Sequence, residues 1–107
     1  MISESFDREP SRPEVEQMAG LVLLEFGASW CGHCQGIASV LSALLTEYPK
    51  VRHLAIEDGP GRPLGRSFRV KLWPTLVFLR DGQVVRQMVR PDPETIREGF
   101  EELSNPG

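Results

Sequence analysis

Long apolar runs, strong net charge and abundant cysteine are all missing from this chain, and each absence removes a class of function. No apolar stretch approaches the roughly 20 residues needed to cross a bilayer as a helix, so no membrane role is expected. The start, Met1-Ile2-Ser3-Glu4-Ser5, has neither a basic n-region nor an apolar h-region, and without an export signal the expected location is cytoplasmic. The formal charge is -3 with a pI near 5.4. Both signs are interspersed, which leaves no basic stripe for nucleic acid or an anionic membrane. Two cysteines in 107 residues are too few for a secreted disulfide framework, and in a reducing compartment a close pair is reactive or metal-binding. Internal repeats and low-complexity tracts are also absent. What remains is one domain over residues 1–107, long enough to bury a core without disulfide staples, with residues 1–19 as a polar N-terminal segment.

Within that segment Ile2 and Phe6 mark a short edge strand, and Pro13 opens a brief helix through Val15 and Met18 that ends at Gly20. Leu21 to Phe26 is nearly all apolar, as a strand buried on both faces would be, with Glu25 the exception. Ile37, Val40, Leu41, Leu44, Leu45 and Tyr48 then form one sustained helical face, which Pro49 ends. Val51 to Ile56 reads as a second strand, Asp58-Gly59-Pro60-Gly61 as a loop, and Pro63 as the start of a short basic helix holding Leu64 and Phe68. Two strands around Asp81-Gly82, Thr75–Leu79 and Gln83–Val89, make a hairpin. A last helix has Asp92 as N-cap, Pro93 at its first position, and Ile96, Phe100 and Leu103 as its apolar face. The order is a βαβ unit, a short helix, a hairpin and a closing helix. It implies an α/β layer structure whose mixed sheet is parallel in its first half and antiparallel in its second.

The two cysteines meet in Trp30-Cys31-Gly32-His33-Cys34, between the buried strand and the long helical pattern. A helix starting just after Cys31 aims unpaired N–H groups and its positive dipole end at that sulfur, which favours thiolate and makes Cys31 the attacking nucleophile. Cys34, one turn further in and more buried, would resolve the mixed disulfide that Cys31 forms with a substrate. Gly32 leaves room for a partner chain. His33, when protonated, adds positive charge beside the thiolate and makes the disulfide a better oxidant. Two other readings stay open at this point: an inert structural pair, and a zinc site counting Cys31, Cys34, His33 and His53. Against zinc, His33 sits inside the CxxC and no second cysteine pair exists. Dithiol–disulfide chemistry is the favoured reading, with no metal.

With Leu24-Glu25-Phe26-Gly27-Ala28-Ser29-Trp30-Cys31, then Trp73-Pro74-Thr75-Leu76-Val77-Phe78 and Asp81-Gly82 all in place, the sequence resembles the thioredoxin family from about Leu21 to Leu103. The resemblance implies the thioredoxin fold, a central mixed sheet of about four to five strands flanked by helices. It implies a redox disulfide between Cys31 and Cys34, and a cis peptide at Pro74 facing them that leaves backbone groups open for strand-like pairing with a substrate. Glu25 would be the family's buried carboxylate, relaying a proton from Cys34, and Trp30 the tryptophan that covers the nucleophile. His53 would fall near a lysine found close to the buried acid in many members, although a half-exposed strand histidine is the simpler reading.

The sequence also departs from the family pattern. His33 replaces a proline and gives the Cys-Gly-His-Cys of protein disulfide isomerases. Ser39 replaces a helix-kinking proline, Trp73 an aliphatic residue, Leu72 a glycine, and Arg90 a glycine that borders the substrate groove. Trp73 and Arg90 imply a narrower or differently charged groove. The function expected is a monomeric thiol-disulfide oxidoreductase, a cytoplasmic reductant of protein disulfides with no bound cofactor, recycled by an upstream reductase or thiol donor. Its alternatives are a thioredoxin-like binding or chaperone module for one partner, and an isomerase- or oxidase-type exchanger.

Overall fold

A computed structural model describes residues 9–27 and 32–105, the His33 side chain excepted. Trp30 and Cys31 lie outside the described residues, as do Ile2 and Phe6 and the edge strand expected there.

The chain runs α1 (Arg12–Glu16), β1 (Leu21–Gly27), α2 (Gly32–Gly36), α3 (Ala38–Glu47), β2 (Arg52–Glu57), α4 (Pro63–Ser67), β3 (Thr75–Arg80), β4 (Gln83–Val89) and α5 (Pro93–Ser104). Among the described residues four strands form one sheet in the order β2-β1-β3-β4. β1 pairs parallel with β2 and antiparallel with β3, and β3 pairs antiparallel with β4. The apolar run at Leu21–Phe26 thus belongs to a central strand with neighbours on both sides, and Leu23, Leu24 and Phe26 are fully buried.

Alternation along β1 divides the interior in two. Leu23 joins a core with Leu41, Leu44 and Leu45 of α3 and Ile96, Phe100 and Leu103 of α5. Val22, Leu24 and Phe26 face the opposite way, toward Val15 of α1 and Leu64 and Phe68 of α4. The sheet is therefore covered by helices on both faces.

Local chemistry explains the boundaries. Ser11 and Glu14 form a capping box that starts α1 one residue before Pro13. Asp92 accepts from the Thr95 N–H at 2.8 Å to start α5. Asp81 and Gly82 both have positive φ, 50° and 82°, as a tight hairpin turn with the right twist requires. One expectation is corrected. The helix after Cys34 is broken, because Ile37 turns between α2 and α3 and its N–H reaches only the Cys34 carbonyl, at 3.4 Å. Gly36, a weak helix former, directly precedes the break. Ser39, where the family has its kinking proline, lies inside α3.

Candidate active site

The end of β1 and the start of α2 bring Cys34 against the sheet. A side-chain carbon on Gly27 would lie 2.5 Å from Cys34 Sγ, so the sulfur packs directly over the strand at the one position where no side chain stands. Glu25, two residues back on the same face, is about 7 Å from Gly27 along the strand. Cys34 is half-buried, as is Glu25, whose side chain is 18% exposed.

Glu25 is not alone in that layer. His53, from the neighbouring parallel strand, lies on the same face as Leu23, its register partner. It is buried, and its Nε2 is 2.7 Å from Glu25 Oε1. A half-exposed strand histidine is therefore incorrect: the imidazole points inward because a carboxylate one strand away needs a partner. A carboxylate only accepts, so the proton on Nε2 lies between the two groups when Glu25 is ionised.

Across from the start of α2 is the loop before β3. The Trp73–Pro74 peptide is cis. Pro74, Gly32, Gly36, Ile37, Arg90 and Pro91 line a groove of about 260 Å³ that runs from the start of α2 to the cis-proline loop. Arg90 has a φ of 45°, a left-handed conformation that accounts for the family's preference for glycine at this position. Its backbone N–H donates to the Pro74 carbonyl at 2.8 Å, and its side-chain Nε donates to the Trp73 carbonyl at 2.9 Å. Of the backbone groups beside Pro74 expected to pair with a substrate strand, the Trp73 and Pro74 carbonyls both accept from Arg90.

Trp73 is half-buried and points away from that groove, toward the loop after β2. Its indole N–H donates to Asp58 Oδ2 at 2.9 Å. The Asp58 carboxylate rests on α4, where a side-chain carbon on Gly65 would lie 2.1 Å from Oδ1. Asp58, Gly27 and Gly65 were not singled out from the sequence. The two glycines had a signal available, each sitting in a regular element that glycine ordinarily weakens.

The structure therefore brings Gly32, Pro74 and Arg90 to one groove and seats Cys34 on β1 two residues from Glu25, with Trp73 behind the cis-proline loop. Among the described residues no group of three or more His, Cys, Asp or Glu is arranged to hold a metal ion.

Comparison with known proteins decides the family. Residues 4–102 match the sequence profile described as Thioredoxin. The chain belongs to the thioredoxin family. Thioredoxin 2 from Pseudomonas aeruginosa PAO1, in its reduced form, is 51% identical over 96% of each chain, with a TM-score of 0.82. Thioredoxin from Chlamydia trachomatis serovar D is 40% identical over 66% of this chain and 70% of its own length. Protein disulfide-isomerase A2 from Pongo abelii is 48% identical over 57% of this chain, which spans only 12% of that protein. Thioredoxin-family members are disulfide oxidoreductases that act on disulfide-containing proteins and are re-reduced by a reductase, and disulfide oxidoreduction is the activity of this chain. The observed sheet is the family's mixed one, with four strands.

Proposed function

We propose that this thioredoxin-family chain is a cytoplasmic reductant of protein disulfides working through a Cys31/Cys34 dithiol. The observation that carries the reading is the seating of Cys34 Sγ on Gly27, in the layer that holds Glu25 and beside the groove lined by Pro74.

In the first step the Cys31 thiolate attacks one sulfur of a substrate disulfide. The S–S bond breaks, one substrate sulfur leaves as thiolate, and a mixed disulfide forms. In the second, Cys34 loses its proton toward Glu25 and attacks Cys31 Sγ, releasing the second substrate thiolate and closing the Cys31–Cys34 disulfide. Two electrons pass to the substrate, and a reductase or thiol donor returns them. Glu25 suits the proton transfer because it is half-buried and its imidazole partner steadies either protonation state. Trp30 would cover Cys31, Gly32 would admit the incoming chain, and His33 would tune the potential. Pro74, Trp73 and Arg90 would position the substrate backbone.

A Cys34→Ser protein is expected to accumulate mixed disulfides with substrate proteins, and Cys31→Ser to lose insulin-disulfide reduction. Full reduction by Cys31→Ser would overturn the assignment. The direction of electron flow is read from the reduction potential in glutathione buffers: a value near about -270 mV supports a reductant, and one near about -180 mV an isomerase-type exchanger. One observation favours a narrower reading, that of a module serving a single partner. Arg90 holds the Trp73 carbonyl, so a substrate strand must displace a charge-assisted hydrogen bond to pair there. Slow turnover of generic disulfides, with one protein captured by Cys34→Ser, would select that reading.

A further inference from the structure

A second groove, of about 390 Å³, lies on the other side of Trp73 and is lined by Asp58, Arg62, Arg66, Arg69, Val70 and Lys71. Its four cations are all exposed. The sequence between residues 59 and 71 holds no acidic residue, in a chain whose formal charge is -3.

The carboxylates nearest these cations are already engaged. Asp58 Oδ2 accepts from the Trp73 indole at 2.9 Å, and Glu57 pairs with Arg62 at 3.4 Å. Among the described residues no carboxylate pairs with the side chains of Arg66, Arg69 or Lys71. The backbone holds these three residues on one short turn. Arg69 has a φ of 59°, its N–H bonds the Arg66 carbonyl at 2.9 Å, and the Val70 N–H bonds the Gly65 carbonyl at 2.9 Å. This is the left-handed turn that usually closes a helix with glycine. An arginine adopts this conformation only at a backbone cost, which points to a use for its charge.

Position decides what such a surface would bind. Asp58, which lines the groove, is hydrogen-bonded to the residue before cis-Pro74, so the groove adjoins the cis-proline side of the site. Four exposed cations from separate positions line a groove of about 390 Å³, which fits a carboxylate-bearing segment better than a single small anion. The overall negative charge opposes binding of a long polyanion.

We propose that this groove docks an acidic segment of the substrate protein flanking the disulfide that is reduced. The proposal rests on the disulfide-exchange reading above. Complementary charge of this kind acts mainly on the association rate and is weakened by salt.

The test uses the full chain and three disulfide-bridged peptides that differ only in their flanks, which carry four glutamates, four glutamines or four lysines. Hydroxyethyl disulfide serves as the uncharged small substrate. At low ionic strength the glutamate-flanked peptide is expected to react at least tenfold faster than the lysine-flanked one, and the rates should converge in 0.5 M salt. Arg66→Glu/Arg69→Glu/Lys71→Glu should reverse the order. Arg66→Gln/Arg69→Gly/Lys71→Gln, whose glycine accepts the φ at position 69, should abolish the preference if the charge reversal does not fold. Equal rates on all three peptides in the wild type, or an order that survives in the folded variants, would overturn the docking proposal. So would an absence of flank preference combined with Arg66-dependent binding of a single-stranded oligonucleotide. Failure on hydroxyethyl disulfide would instead overturn the exchange reading, which keeps the two outcomes apart.

Discussion

Two polar side chains on adjacent strands, one of them buried, form a hydrogen-bonded pair next to the seat of Cys34. Glu25 and His53 share a 2.7 Å contact on the face of β1 where, two residues on, Cys34 Sγ sits over Gly27. Glu25→Gln keeps an acceptor for the imidazole but removes the carboxylate proposed to take the Cys34 proton. It is expected to slow the resolving step by at least about tenfold, toward the lower end of general-base effects, with little change in thermal stability. Stopped-flow decay of a preformed mixed disulfide measures that step, and an unchanged rate would remove Glu25 from the mechanism. Gly27→Ala probes the sulfur itself. The added methyl meets Cys34 Sγ, which can rotate away at small energetic cost but then leaves its seat on β1. Normal folding with accumulated mixed disulfide is expected, seen as a covalent adduct by non-reducing mass spectrometry. The CxxC was legible because its residues are adjacent in the chain. The His53 pairing was not, since a histidine in a six-residue strand acquires its face from the strand beside it. The Trp73–Asp58 bond joins two loops that only the fold makes neighbours.

Among the elements, the hairpin and α5 were the most readable, because their signals are local. Asp81-Gly82 specifies its own turn. Gly82 is doubly constrained, since a side-chain carbon there would also lie 1.9 Å from the Glu16 carbonyl oxygen at the end of α1. α5 is fixed at both ends. Asp92 caps its start, and Arg80 Nη2 donates to the carbonyls of Glu102, Leu103 and Asn105 at its finish, at 2.9, 2.7 and 2.8 Å. The hydrogen bond from the Thr95 backbone holds the Asp92 carboxyl below its usual value. A carboxyl whose folded-state value is depressed contributes stability that is present above its unfolded value and is lost as pH falls through the folded one. Asp92→Ala is therefore expected to lower Tm by roughly 4–8 °C at neutral pH, and the gap from wild type should narrow as pH falls below the usual aspartate range. A gap constant down to pH 2 would show that the cap does not act through its charge. The break at Ile37 was not legible in the same way. The apolar face of α3 continues through Ile37, so periodicity saw one helix where the backbone makes two.

At the scale of the whole molecule, the sheet separates two cores that do different work. The face covered by α1 and α4 positions the loop after β2, and through Asp58 it fixes the back of the cis-proline loop. Arg12 contributes there by placing its guanidinium 3.8 Å from the Phe68 ring centre and donating to the Ser67 carbonyl at 2.7 Å. The other face holds α3 and α5 and supports the layer of Glu25, His53 and Cys34. Phe100 stands at its centre, edge-on to Phe78 at 5.4 Å and tilted against Tyr48 at 5.4 Å. Truncating a buried phenylalanine costs about 3–5 kcal/mol, a large share of the roughly 5–15 kcal/mol that holds such a domain together. Phe100→Ala should therefore lower Tm by more than about 10 °C. Phe68→Ala, on the opposite face, should destabilise comparably but also loosen the support of Asp58 and Trp73. Two variants matched in Tm, assayed well below it, separate these roles. If the groove beside Trp73 is built by the α1/α4 face, Phe68→Ala will lose preference for a glutamate-flanked disulfide while Phe100→Ala keeps it. Equal loss in both would mean that substrate choice depends on overall stability and not on that face.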